Sequence, residues 1–159
     1  MSVDRVKEFL AQHAKDLEVT ELKESTATVV EAAQAFGVEP GQIAKTLSLR
    51  LEEGVALIVM AGDAKIQNGK FKRLFGIKPR MLKGEEVEPL TGFRPGGVCP
   101  FTTREGVKIF CDESLKAHDY VLPAGGNANS GVRVTPARLA EVCQADWVDV
   151  AKEMETESA

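Results

Sequence analysis

Apolar residues recur along this chain with two different periods. Val6, Phe9, Leu10 and His13 fall at helical spacing, which predicts an amphipathic helix over residues 3–15. Thr28-Val-Val-Glu31 reads as a capping box. Val29, Ala32, Ala33 and Phe36 continue it at helical spacing, and Gly37 suits the C-terminal cap. Pro40 opens a short turn. Leu47, Leu49 and Leu51 then alternate with polar residues, so residues 45–51 form a strand. Residues 55–61 are apolar without a break, as in a central strand covered on both faces, and Gly54 makes the turn between the two. Helices are expected at 68–75, stopped by Gly76, and at 85–90. Strands at 107–111 and 120–123 flank a helical turn at 112–117, with a further strand at 132–134. Pro136 suits the first position of a helix reaching Gln144, and residues 147–150 read as a last edge strand. No strand–helix–strand repeat emerges. The expectation is a single α+β domain over residues 1–150, with a mixed, strongly curved, partly barrel-like sheet, followed by an acidic tail at 151–159.

Composition narrows the possible chemistry. The chain is 43% hydrophobic over 159 residues, enough for a real core. No apolar run approaches the roughly 20 residues of a membrane span, and residues 1–12 lack the pattern of a signal peptide. Cys99, Cys111 and Cys143 are odd in number and widely spaced, which fits a reducing cytosol and a cytoplasmic protein. With only His13 and His118, no CxxC and no HExxH, no metal site is expected. The net charge of −4 hides an asymmetry. Residues 64–84 hold Lys65, Lys70, Lys72, Arg73, Lys78, Arg80 and Lys83 and no acid. A positive segment on an acidic protein either selects an anionic ligand or is a solvated helix and loop.

Lys45 is in phase with Leu47, Leu49 and Leu51 on one face of its strand. A lysine there either waits for an anionic or carbonyl partner, or lies before the strand and points to water. Two glycine-rich loops are the other candidates. Thr91 to Phe101 includes Gly96-Gly97, where backbone N–H groups can approach a ligand and stabilise a developing oxyanion. Residues 124–131 form the second loop, which is neither a P-loop nor a dinucleotide fingerprint. Cys99 as a nucleophile needs a base, and His118 is not placed near it. His13 lies on the apolar side of its helix, where packing is the simpler role. Asp63 and Asp112 each end a strand-like run, and either order a water or loop or cap the adjoining turn.

These pieces together resemble the YbaK/EbsC-like proteins, related to the editing domain inserted in bacterial prolyl-tRNA synthetases. The matching elements are Thr28-Val-Val-Glu-Ala32, Ile43-Ala-Lys-Thr-Leu47, Gly62-Asp63, Leu90-Thr-Gly-Phe93, Gly96-Gly-Val-Cys-Pro100, and Gly125-Gly126 with Asn129. They occur in family order across residues 3–150. The resemblance implies an aminoacyl-tRNA deacylase, which hydrolyses the ester of a mischarged tRNA without a cofactor. It implies that Lys45 is the functional lysine, that Gly96, Gly97 and Val98 hold the ester, and that Gly125-Gly126 border the pocket. Thr28, Thr46, Met60, Asp63, Pro100 and Asn129 join them as candidate substrate contacts. Ala124 stands where YbaK has a serine, which counts against a YbaK-like cysteinyl-tRNA specificity. Cys99 is not a nucleophile position in the family.

An aminoacyl ester is already activated, so positioning and oxyanion stabilisation suffice to hydrolyse it. Lys70, Lys72, Arg73, Lys78 and Arg80 then become candidate contacts for acceptor-stem phosphates. The expected partners are aminoacyl-tRNA and, further, an aminoacyl-tRNA synthetase, with neither membrane nor DNA. Two alternatives remain open from the sequence: a non-catalytic tRNA-binding module, and a small-molecule or nucleotide-binding hydrolase.

Overall fold

Seven consecutive apolar residues can be buried together only where both faces of a strand are covered, and that strand is the middle of this molecule. A computed structural model describes residues 2–102 and 105–152. All seven positions of β3, Val55–Ala61, are buried. It pairs antiparallel with β2, Ile43–Arg50, through a tight turn in which Gly54 takes φ +88°. On its other side β4, Val107–Asp112, runs parallel to it. The edges are β5, Leu122–Pro123, parallel to β2, and β7, Asp146–Val148, parallel to β4. The order is therefore β5-β2-β3-β4-β7, a mixed sheet that does not close into a barrel. A second, two-stranded ladder joins β1, Val19–Glu21, to β6, Ser130–Val132.

Strand alternation sends successive β3 side chains to different cores. Val59 packs with Val6 and Leu10 of α1, Ser2–His13, and with Leu139 of α5, Pro136–Cys143. Ile58 packs with Leu49 and with Phe71 of α3, Asn68–Phe75. A smaller cluster sets Ala32 and Ala33 of α2, Val29–Phe36, against Ile43 and Leu122. The helix α4 spans Gly84–Thr91. The α+β expectation and most elements hold. Some details differ: the strands expected at 132–134 and 147–150 run instead over Ser130–Val132 and Asp146–Val148. The Thr28 hydroxyl caps α2 by accepting from Glu31 N at 3.1 Å, but it also donates to the Glu31 carboxylate at 3.1 Å, so the reciprocal half of the box is absent. The expected strand at 120–123 shortens to β5, because Val121 instead pairs with Val134. Finally, β1 has no signature in the sequence, since three residues are too few to show a period.

Ala151 is buried and bridges to Ile66, and Lys152 N donates to Lys65 O at 2.8 Å. The rest of the expected acidic tail lies outside the described residues. No helix among the described residues is long and apolar enough to cross a membrane.

Candidate active site

The site begins with an interruption along one edge of β2. Leu82 N donates to Ser48 O at 3.0 Å, and Arg50 N donates to Arg80 O at 2.9 Å. Alternate residues of an antiparallel strand turn their backbone groups to the same side. Ala44, Thr46, Ser48 and Arg50 therefore face away from β3. β5 covers only Ile43 and Ala44, and the 80–82 segment covers Ser48 and Arg50. Thr46 falls between them, on an open stretch of strand edge. Its hydroxyl is also buried without a hydrogen-bond partner among the described residues.

A cavity of about 150 Å³ opens at this gap. Its apolar wall is Val29, Ala32 and Phe36 of α2, Ile43 of β2 and Leu122 of β5. Its polar rim carries Thr26, Thr28, Lys45, Thr46 and Ser130, with Gly96 and Val98 from the first glycine-rich loop. Thr26 had no signal in the sequence, and Ser130 was one position of the second glycine-rich loop with nothing to single it out. They lie 104 residues apart and meet beside the β1–β6 ladder, where Ser130, at the start of β6, donates its N–H to Thr26 Oγ1 at 3.1 Å.

Lys45 neither waits unpartnered nor points to water. Its Nζ donates to Gly62 O at 3.2 Å and, at short range, to Ala64 O, in the turn that leaves β3. Two of three ammonium protons are thus committed, and one is left. Half-burial pushes its pKa down from the ordinary lysine value, the nearby Asp63 carboxylate acts against that, and Lys65 adds to it. Lys45 holds the turn, and the turn presents Asp63 as an exposed carboxylate.

The first glycine-rich loop reaches the rim because it touches the second. A β-carbon on Gly97 would come within 2.8 Å of Asn127 Cα and 3.0 Å of its carbonyl carbon. The Gly97 N–H is used inside the loop, donating to Arg94 O at 3.0 Å. The N–H groups of Gly96 and Val98 have no such bond among the described residues.

The structure does not bring every sequence candidate to the cavity. Met60 is fully buried in a cluster with Ala61 and Ala64. Pro100 lines a separate groove beside Phe9 and His13. Gly125 packs behind the site, its N–H donating to Ser130 Oγ at 3.1 Å. Gly126, its neighbour, is buried, and Asn129 stitches the loop to Leu22 O at 2.8 Å. Lys70 is tied to Asp149 at 3.1 Å and Ala151 O at 2.9 Å, whereas Lys72, Arg73, Lys78 and Arg80 are exposed. His13 is exposed with its ring 4.8 Å from that of Phe9. Asp112 is a buried structural carboxylate, accepting from Ser114 N at 2.9 Å and Val150 N at 2.8 Å.

Cys99 is fully buried, bonded to Phe101 O at 3.7 Å, and burial raises its pKa to about 12. It is no thiolate nucleophile. Among the described residues no three His, Cys, Asp or Glu side chains gather as metal ligands.

Residues 23–142 match the aminoacyl-tRNA editing domain. The chain belongs to the aminoacyl-tRNA editing domain family. The resemblance to YbaK/EbsC-like proteins carried by the sequence motifs is thereby established. Beyond the editing domain itself, the chain is 44% identical over 157 residues to YwhH of Bacillus subtilis, covering 98% of this chain and all of that one. It is 30% identical over 105 residues to the proline–tRNA ligase of Bacillus licheniformis, covering 63% of this chain but only 18% of the ligase. The editing domain also superposes on a crystal structure named as a candidate trans-editing enzyme for prolyl tRNA synthetase. That match has a TM-score of 0.87 and 37% identity, over 96% of this chain and 98% of the other.

Proposed function

We propose that this chain is a trans-acting aminoacyl-tRNA deacylase that removes a small amino acid from a mischarged tRNA. The observation that carries this reading is the cavity at the open edge of β2. There an apolar wall, the open edge at Thr46 and the Lys45 side chain line one space. The apolar wall takes the side chain. The Thr46 backbone, facing no strand, pairs with the extended aminoacyl group. Lys45 lies beside the ester, and the Gly96 and Val98 N–H groups stand at the rim for the carbonyl oxygen as it becomes an oxyanion. Water adds to the ester carbonyl, and the tetrahedral intermediate expels the ribose oxygen, which takes up a proton. The products are the free amino acid and uncharged tRNA. No nucleophilic side chain is required, because the ester is already activated.

A cavity of this size admits alanine, serine, threonine or cysteine side chains. A single methylene discriminates by only about 1–3 kcal/mol, so overlap among them is expected. The test is a deacylation panel of Ala-, Ser-, Thr-, Cys- and Pro-tRNA with wild type and Lys45→Ala. Multiple turnover on one or two esters is expected, falling by about 100-fold or more in the variant. Near-normal turnover by Lys45→Ala overturns the role of Lys45. No turnover on any ester, with tRNA still bound, makes the protein a binding module instead.

A further inference from the structure

The cavity at the open edge of β2 has a far end as well as a rim. Val29, Ala32 and Phe36 stand at positions i, i+3 and i+7 of α2, so one stripe of that helix runs the length of the apolar wall. The stripe begins at Val29, next to Thr28 on the polar rim. Phe36 lies seven residues on, about 10 Å further along the helix axis. Side chains of a helix lean toward its N-terminus, so the Phe36 ring reaches back over the preceding turn. Ala32 sits between them with only a methyl group, and it is there that the wall leaves room.

The ring is backed by main chain. A β-carbon on Gly131 of β6 would come within 2.7 Å of Phe36 Cζ and 2.8 Å of its Cε2. The outer edge of the ring therefore rests on the β6 backbone, with Ile43 and Leu122 packed in the same cluster. Gly131 does not have a positive φ, so the approach of the ring, and not backbone freedom, accounts for the glycine. A ring in that seat cannot retreat from a larger ligand, whereas the tip of a long flexible side chain could. The ester chemistry makes no use of either residue.

We propose that Phe36, seated on Gly131, sets the largest amino acid that the site accepts. Side chains up to the size of threonine fit in front of the ring, and leucine and methionine are turned away. Phe36 is thus a specificity-determining residue, and Gly131 positions it. The proposal rests on the deacylase reading for placing the acyl side chain in the cavity, but its main test reads binding and not turnover.

The probes are RNA minihelices ending in CCA, with alanine, threonine, leucine or methionine joined through a non-hydrolysable 3′ amide. Wild type should bind the leucine and methionine probes about 10-fold or more weaker than the alanine probe, as for a pocket one or more methylenes too small. In Phe36→Ala the leucine probe should tighten by about 10-fold or more, while the alanine probe gains nothing. Phe36→Leu, which keeps an apolar side chain in the wall, should fall between the two and serves where loss of the whole ring prevents folding. A second measurement addresses the seat. Gly131→Ala should lower the unfolding midpoint of wild type but not that of Phe36→Ala, because the ring is what the added methyl group meets.

A leucine-to-alanine affinity ratio that neither Phe36 variant moves overturns the proposal. So does a Gly131→Ala penalty equal in both backgrounds, which would tie the glycine to something other than the ring. A ratio that shifts as expected in a protein that hydrolyses no ester sinks the deacylase reading and spares this one. Turnover of small esters with an unmoved ratio does the reverse.

Discussion

Two carbonyls and a carboxylate decide what Lys45 can do. Its ammonium holds Gly62 O and Ala64 O, so its charge is fixed in place before substrate arrives. Desolvation opposes that charge and Asp63 supports it. If catalysis needs the protonated lysine, activity must be lost as pH rises through its folded-state pKa. Because that value lies below the ordinary lysine value of 10.5, the alkaline fall in kcat/KM should begin below pH 10.5. Asp63→Asn removes the group that raises the pKa, so the fall should move to lower pH. A pH–rate profile of both proteins, corrected for spontaneous ester hydrolysis, measures this. An alkaline limb that Asp63→Asn leaves in place would separate Asp63 from the lysine. Lys45 itself was legible in the sequence, as a cation in phase with three leucines. Its partners were not, because they belong to a turn 17 and 19 residues away whose position depends on the β2–β3 register.

At the scale of elements, the two glycine-rich loops act as one wall. Gly97 lies against the backbone of Asn127, closer than any side chain allows. Gly97→Ala must push the loops apart, since neither contact atom is the tip of a flexible side chain. We expect a stability loss of about 1–3 kcal/mol, as for other overpacked sites. We also expect a rise in KM larger than the fall in kcat, because the rim moves while Lys45 does not. Urea unfolding and steady-state deacylation read the two effects, and an unchanged KM would mean that the rim does not touch substrate. Both loops were visible as sequence, and their contact was not. The same holds for the elements around them. β3 and α3 were readable because one is a continuous apolar run and the other ends on a glycine. The gap at Thr46 was not, since it arises from the brevity of β5 and from the pairing of the 80–82 segment, neither of which leaves a local period.

Across the whole molecule, charge is separated from the cavity but connected to it. The 80–82 segment that continues the open edge of β2 also carries Arg80, the last of the four exposed cations Lys72, Arg73, Lys78 and Arg80. Lys70, which the sequence grouped with them, is held by Asp149 and the carbonyl of Ala151 and adds little to an outer field. If the stem phosphates of a tRNA whose 3′ end enters the cavity rest on this basic segment, its affinity must fall with salt. Each neutralised phosphate contributes about −0.7 to −0.9 to the slope of log K against log salt. Four contacts give a slope of roughly −3 to −4, modest for a nucleic-acid protein and consistent with transient inspection of many tRNAs. Reversing Lys72 and Arg73 to Glu should flatten that slope by about 2 and weaken tRNA binding at low salt by tenfold or more. A minimal aminoacyl-adenosine ester has no stem phosphate and should not sense the reversal. Filter binding across a salt series, with hydrolysis of the minimal ester in parallel, distinguishes the two surfaces. Binding that ignores salt would remove the basic segment from tRNA recognition. Loss of minimal-ester hydrolysis would mean that the reversal reaches the cavity, and that charge and chemistry in this fold are not separable.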